Sequence, residues 1–159
     1  MTQAETIKKP SKNARKSAAR LVAAQLIYEH FLTKEPYAKL IEDYQYQRVK
    51  NPIDELEEGD SELVPADMNL LEEILSPLTQ HAESIVSLAT SAVDKQKKDM
   101  ELLLKAIVMA ASSEFFTAAD RGVDSPIIMN DYLNVTRAFF GEGEVKYING
   151  ILNHISKAV

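Results

Sequence analysis

Apolar residues recur along the chain every three or four positions, the period of a helix with one buried face. From about Asn13, the residues Leu21, Ala24, Tyr28 and Phe31/Leu32 share one stripe, widened by Val22, Leu26 and Ile27. Alanines at 14, 18, 19, 23 and 24 favour helix there and permit close packing. A second stripe, Tyr37, Leu40, Ile41 and Tyr44, predicts a helix from Pro36 to about Val49. The third begins near Ala66 and Asp67, with Asp67 as cap, and carries Met68, Leu71, Ile74, Leu75 and Leu78; Pro77 is expected to kink or break it. A fourth carries Ile85, Leu88, Ala89 and Val93. Past a polar break at 94–98, Met100, Leu103, Leu104, Ile107, Ala111 and Phe115 give the cleanest stripe, which belongs at the centre of the core. Gly122 ends that helix. Ser125 is expected to cap the next, with Pro126 at its first position and Ile128, Tyr132, Val135 and Phe139 as its stripe. Gly141 and Gly143 make the following turn, before a last helix built on Ile148, Ile151, Leu152 and Ile155. No segment alternates with period two. The pattern predicts an all-α chain of about seven helices without internal repeats.

Residues 1–12 lack apolar periodicity and are expected to form a mobile basic arm, leaving 13–159 as one domain. Residues 51–65 read as an acidic loop: positions 54–62 hold six acids and no base, so self-repulsion favours an extended, solvated segment. A chain of 159 residues buries a core without staples. The absence of cysteine excludes disulfides and thiolate metal sites. His30, His81 and His154 show no ligand spacing, so no metal is expected. The longest apolar run near the middle, 106–111, falls short of the ~20 residues of a membrane span. The lysines at 8, 9 and 12 precede no apolar stretch of a secretory signal. These features predict a cytoplasmic protein with no membrane partner.

The net charge of −6 is unevenly distributed. Residues 1–20 hold six basic side chains against Glu5 alone, whereas the rest holds 12 basic and 23 acidic residues. A basic segment on an acidic body is the footprint of a polyanion partner, a solvated tail being the alternative. If the first helix reaches back to Lys12, then Lys12, Lys16 and Arg20 fall at i, i+4 and i+8, with Arg15 beside them. Such a row can follow a phosphate backbone. Reading single-stranded RNA also needs exposed aromatic or hydrogen-bonding groups. The nearest aromatic, Tyr28, lies on the apolar stripe and is expected in the core. No phosphate loop, nucleophile elbow or paired-histidine motif occurs, and no strand precedes Gly141-Glu142-Gly143. Neither enzymatic activity nor a cofactor is expected.

Three segments, in order, resemble one known family. Ala19-Arg20-Leu21-Val22-Ala23-Ala24-Gln25-Leu26-Ile27-Tyr28 is similar to the A-R-x-x-A-x-Q-x-L-Y opening of the NusB transcription antitermination factors. Ile128-Met129-Asn130-Asp131, with Phe139 and Phe140 after it, resembles that family's A-I-N-E segment, and Tyr147-Ile148-Asn149-Gly150-Ile151-Leu152 its F-V-N-G-V-L. Glu114 falls where the family has Y-E-L. The resemblance implies a helical fold of two small subdomains that binds boxA-type single-stranded RNA together with NusE, a ribosomal protein, and so acts indirectly on the RNA polymerase antitermination complex. It also implies RNA contacts at Lys12, Arg15, Lys16, Arg20, Lys146 and Tyr147, and a NusE contact at Glu114.

Alternatives stand beside several of these assignments: a salt bridge to an acidic neighbour for Arg20, a partly buried brace for Glu114, and a core position for Tyr147. Asn149 and Gly150 read as structural, Gly150 allowing close helix packing. Met109 and Ser113 stand where the family has Arg and Tyr, and Asp131 where it has Glu. A second reading therefore remains: a protein-interaction adaptor on the same scaffold, without RNA binding, using the altered surface at Met109 and Ser113.

Overall fold

The computed structural model describes residues 10–50, 64–93 and 100–159. Seven helices and no strand occur among them: α1 (Lys12–Thr33), α2 (Tyr37–Lys50), α3 (Met68–Gln80), α4 (Ala82–Ala92), α5 (Leu102–Arg121), α6 (Ser125–Phe139) and α7 (Glu142–Ala158). Nearly all of the expected arm, the acidic loop at 51–63 and the polar break at 94–98 lie outside the described residues.

Local chemistry sets most of the boundaries. The Ser11 hydroxyl accepts the Ala14 N–H and starts α1; Asp67 accepts the Leu70 N–H and starts α3 as expected. Gly122 stops α5 in the left-handed region at φ 68°, with Val123 N–H bonded to the Ala118 carbonyl and Gly122 N–H to that of Ala119. Two boundaries differ from expectation. Helix α6 begins at Ser125 itself, preceded by Asp124, whose side chain makes no cap bond. Helix α7 begins before Gly143, and the Glu144 carboxylate accepts the Gly141 N–H.

Pro77 neither breaks nor ends α3, which runs on to Gln80. So near the C-terminus the missing N–H deprives only the Glu73 carbonyl of a helical donor. Burial of Ile74, Leu75, Pro77 and Leu78 holds the last turn in place. The chain turns instead at His81, whose N–H bonds to the Pro77 carbonyl at 2.7 Å.

Helix α5 is the axis. It packs on α1, α3, α4, α6 and α7, while α2 lies on α1 and α3. One continuous buried cluster draws on all seven helices, so the two subdomains implied by the resemblance share a core. Apolar on most sides, α5 is the one helix among the described residues long and apolar enough to cross a membrane, although most of it is buried in the protein. Counting uninterrupted apolar runs misses it because Lys105, Ser112, Ser113 and Glu114 interrupt the sequence.

Three stripe residues lie further out than expected: Tyr28, Leu32 and Phe139 are exposed. Small side chains at Ala19, Ala23 and Ala24 bring α1 close to its neighbours, leaving its larger flanking residues at the rim. Gly150 is also exposed, and a Cβ there would meet nothing within 4 Å, which removes close packing as its reason. Gly150→Ala should therefore stabilise the protein by about 1 kcal/mol, the helix-propensity difference. Thermal unfolding should show a rise of about 2–4 °C; a fall would restore the packing explanation.

Candidate nucleic-acid interface

Lys12, Arg15 and Lys16 are exposed on the first two turns of α1. That end is anchored: the Asp67 N–H donates to the Arg15 carbonyl at 3.0 Å, tying α1 to the start of α3. No acid occupies the first turn, and none of the three cations forms an ion pair among the described residues. They sit at the positive end of the helix dipole, where cations are unfavourable unless an anion joins them.

Arg20 does not belong to this edge. Only 3% of it is exposed, and its guanidinium grips Glu114, which is wholly buried. Nε and Nη2 donate to the two carboxylate oxygens at 2.6 and 3.0 Å, while Nη1 donates to Asp131. An i, i+4, i+8 row winds around a helix by about 40° per step, so Arg20 lies roughly 80° from Lys12 and faces inward.

The Glu114 carboxylate also accepts from the Tyr132 hydroxyl at 2.8 Å and from Arg121 Nη2 at 3.1 Å. Ser17 donates to both Asp131 oxygens. Two cations and two anions are thus matched across α1, α5 and α6, with Arg121 reaching Glu73 of α3 as well. Burial by itself lowers the pKa of Arg20, but the Glu114 bond and charge raise it overall, keeping the guanidinium charged. Burial pushes the Tyr132 hydroxyl well above its usual range, assisted by the Glu114 charge. Glu114, expected at a partner interface, is an internal brace.

Ser113 is buried too, its hydroxyl donating to the Ile74 carbonyl of α3. Met109 is half-buried against the core. The altered positions therefore make no new surface together, which removes the main support for the adaptor reading. Lys146 is exposed and Tyr147 half-buried on α7, which packs on α4, α5 and α6. These two join the α1 cations only through the intervening α5 and α6. Between α1, α3 and the start of α6 opens a polar groove of about 700 Å³, to which Lys16, Asn69, Asn130 and Arg121 contribute.

The geometry defines an all-α protein with a cationic helix start beside a groove, carried on an ion-paired core. Comparison with known proteins fits that class: the NusB family model matches residues 17–157. Relatives named transcription antitermination protein NusB include that of Sphingopyxis alaskensis, 29% identical over 91% of this chain and 93% of its own. That of Novosphingobium aromaticivorans is 24% identical over 91% and 94%, and that of Allorhizobium ampelinum 28% over 98% and 94%. The chain belongs to the NusB family.

Removing one member of the buried pair should be costly because the other charge stays behind. Arg20→Ala and Glu114→Gln should each lower stability by about 3–5 kcal/mol. In urea unfolding, the double variant should lose clearly less than the sum of the two. Additive losses would show that the pair is not coupled.

The pH dependence has a definite sign. Because folding raises the Tyr132 pKa, its contribution is complete below about pH 10, the unfolded tyrosine value, and is lost as pH rises further. Burial also raises Tyr37, to about 12, which adds a second loss in the same direction. Melting temperature should decline above pH 10, and less steeply in Tyr132→Phe. An identical slope in that variant would exclude Tyr132 as a source of the decline.

Proposed function

We propose that this chain acts in transcription antitermination by binding boxA-like single-stranded RNA together with a NusE-type ribosomal protein. Through that complex it bears on RNA polymerase in the cytoplasm. The observation that carries this reading is the trio Lys12, Arg15 and Lys16, crowded at the positive end of α1 with no acid in its first turn and no ion pair among the described residues. Such an arrangement is electrostatically unfavourable in the free protein and is relieved by a phosphate backbone. Lys146 and Tyr147 extend the RNA surface in this reading. Arg20 and Glu114 serve it indirectly, by holding α1 in place. No catalytic step is assigned.

The test is a salt titration of binding to a fluorescent boxA-like single-stranded RNA, with and without the ribosomal partner. Each phosphate neutralised on a single strand contributes about −0.7 to the slope of log K against log salt. Reversing Lys12, Arg15 and Lys16 to Glu should flatten that slope by roughly 2 and weaken binding strongly. The melting temperature of that variant should not fall. Unchanged affinity and slope, or absence of RNA binding by the parent even with its partner, would overturn the reading.

A further inference from the structure

The groove beside the cationic edge differs from it in charge. Its floor is formed by Ser17, Arg20 and Asp131, whose polar atoms are already bonded within the ion network. Arg121 at its side is matched by Glu114 and Glu73. With Asp67 and Asp124 also lining it, the groove has more carboxylate than unmatched cation. Its carboxylates favour a neutral group with hydrogen-bond donors over a phosphate.

The groups that face the space suit a base edge. Carboxamides of Asn13, Asn69 and Asn130 enter from α1, α3 and α6, and none makes a hydrogen bond among the described residues. Each offers a donor and an acceptor side by side, the arrangement that pairs with adenine. The Asp124 carboxylate makes no cap bond and no ion pair among the described residues, and a carboxylate accepts from the amino group of cytosine. Leu70 and the exposed Ile127 supply an apolar wall for the face of a ring. Lys16 belongs both to the cationic edge and to the groove lining, so a strand whose phosphates follow α1 passes the groove mouth.

We propose that this groove receives one unstacked nucleobase bearing an exocyclic amino group, adenine or cytosine, from the strand whose phosphates lie along Lys12, Arg15 and Lys16. The assignment rests on the RNA-binding reading above and adds to it a site of base selection. The volume of about 700 Å³ accommodates a nucleotide and falls within the ordinary range of small-ligand sites.

The experiment uses the full chain and labelled twelve-nucleotide RNAs: oligouridine, and the same strand with central adenines or cytosines. The amino-bearing strands should bind about tenfold more tightly than oligouridine, the discrimination of a well-made base contact. Asn69→Ala/Asn130→Ala should bring the three dissociation constants together by weakening the adenine- and cytosine-bearing strands most, with melting temperature unchanged. Asp124→Asn should reduce the preference without abolishing binding. Lys12→Glu/Arg15→Glu should weaken all three RNAs alike and keep the preference. Equal affinities in the parent, or a preference that survives in Asn69→Ala/Asn130→Ala, would overturn the groove assignment and leave the RNA reading standing. Failure of every RNA to bind the parent would overturn both. Loss of the ribosomal partner from Asn69→Ala/Asn130→Ala, with base preference intact, would make the groove a protein contact and reject the assignment.

Discussion

The pairing of Arg20 with Glu114 is the constraint from which the rest of the architecture follows. Two ions taken out of water are tolerated only when each is neutralised and its remaining hydrogen-bonding capacity is used. Here Nε, Nη1 and Nη2 of Arg20 all donate, and both Glu114 oxygens accept two bonds each. Such a pair adds little over apolar residues of the same shape, yet either half alone is strongly destabilising. Its consequence is positional. Satisfying one carboxylate from α1, α5 and α6 admits a single register and rotation of those helices, and places Lys12, Arg15 and Lys16 outside.

Apolar periodicity carried most of the fold because every helix here has a stripe that must be covered. It located about seven helices, put the central one from about Met100 up to Gly122 where the structure has Leu102–Arg121, and identified Asp67 and Gly122 as boundary residues. It was weaker where an effect depends on neighbours in space. Pro77 looked like a break, but near a helix end it costs one bond and packing outweighs that. Tyr28 shares a face with the core residues of α1, yet how deep it lies depends on how closely the alanines bring the next helix. Gly150 looked like a packing residue because glycine in a helix asks for a reason, and the space around it supplies none.

The candidate site was legible in its charge and hidden in its geometry. Composition isolates the basic start of the chain, but a count of charges does not separate Lys16 from Arg20, four residues apart with opposite surroundings. The partners of Arg20 are 94 and 111 residues away, beyond any local pattern. One signal was present: Arg20 stands among Ala19, Ala23 and Ala24, on a face too small-sided to be anything but packed. A long cation on such a face requires an internal anion. Asn130 and Asp131 both line the groove, but the aspartate is bonded into the network while the asparagine side chain makes no hydrogen bond among the described residues.

Neutralising the buried arginines also shapes the field outside them. Were Arg20 and Arg121 free, the groove would be as positive as the edge of α1, and a phosphate would settle in it. Matched by Glu114, Asp131 and Glu73, they withdraw from that role, leaving a groove whose unmatched groups are mainly carboxylates and amides. The positive charge then stands at Lys12, Arg15 and Lys16 on the edge of α1, with Lys16 at the groove itself. On the proposed RNA-binding reading, a strand on this surface would lie with its phosphates toward α1 and its bases toward the groove. The ion pair that fixes the helices would then also separate the surface proposed to attract a strand from the groove proposed to read it.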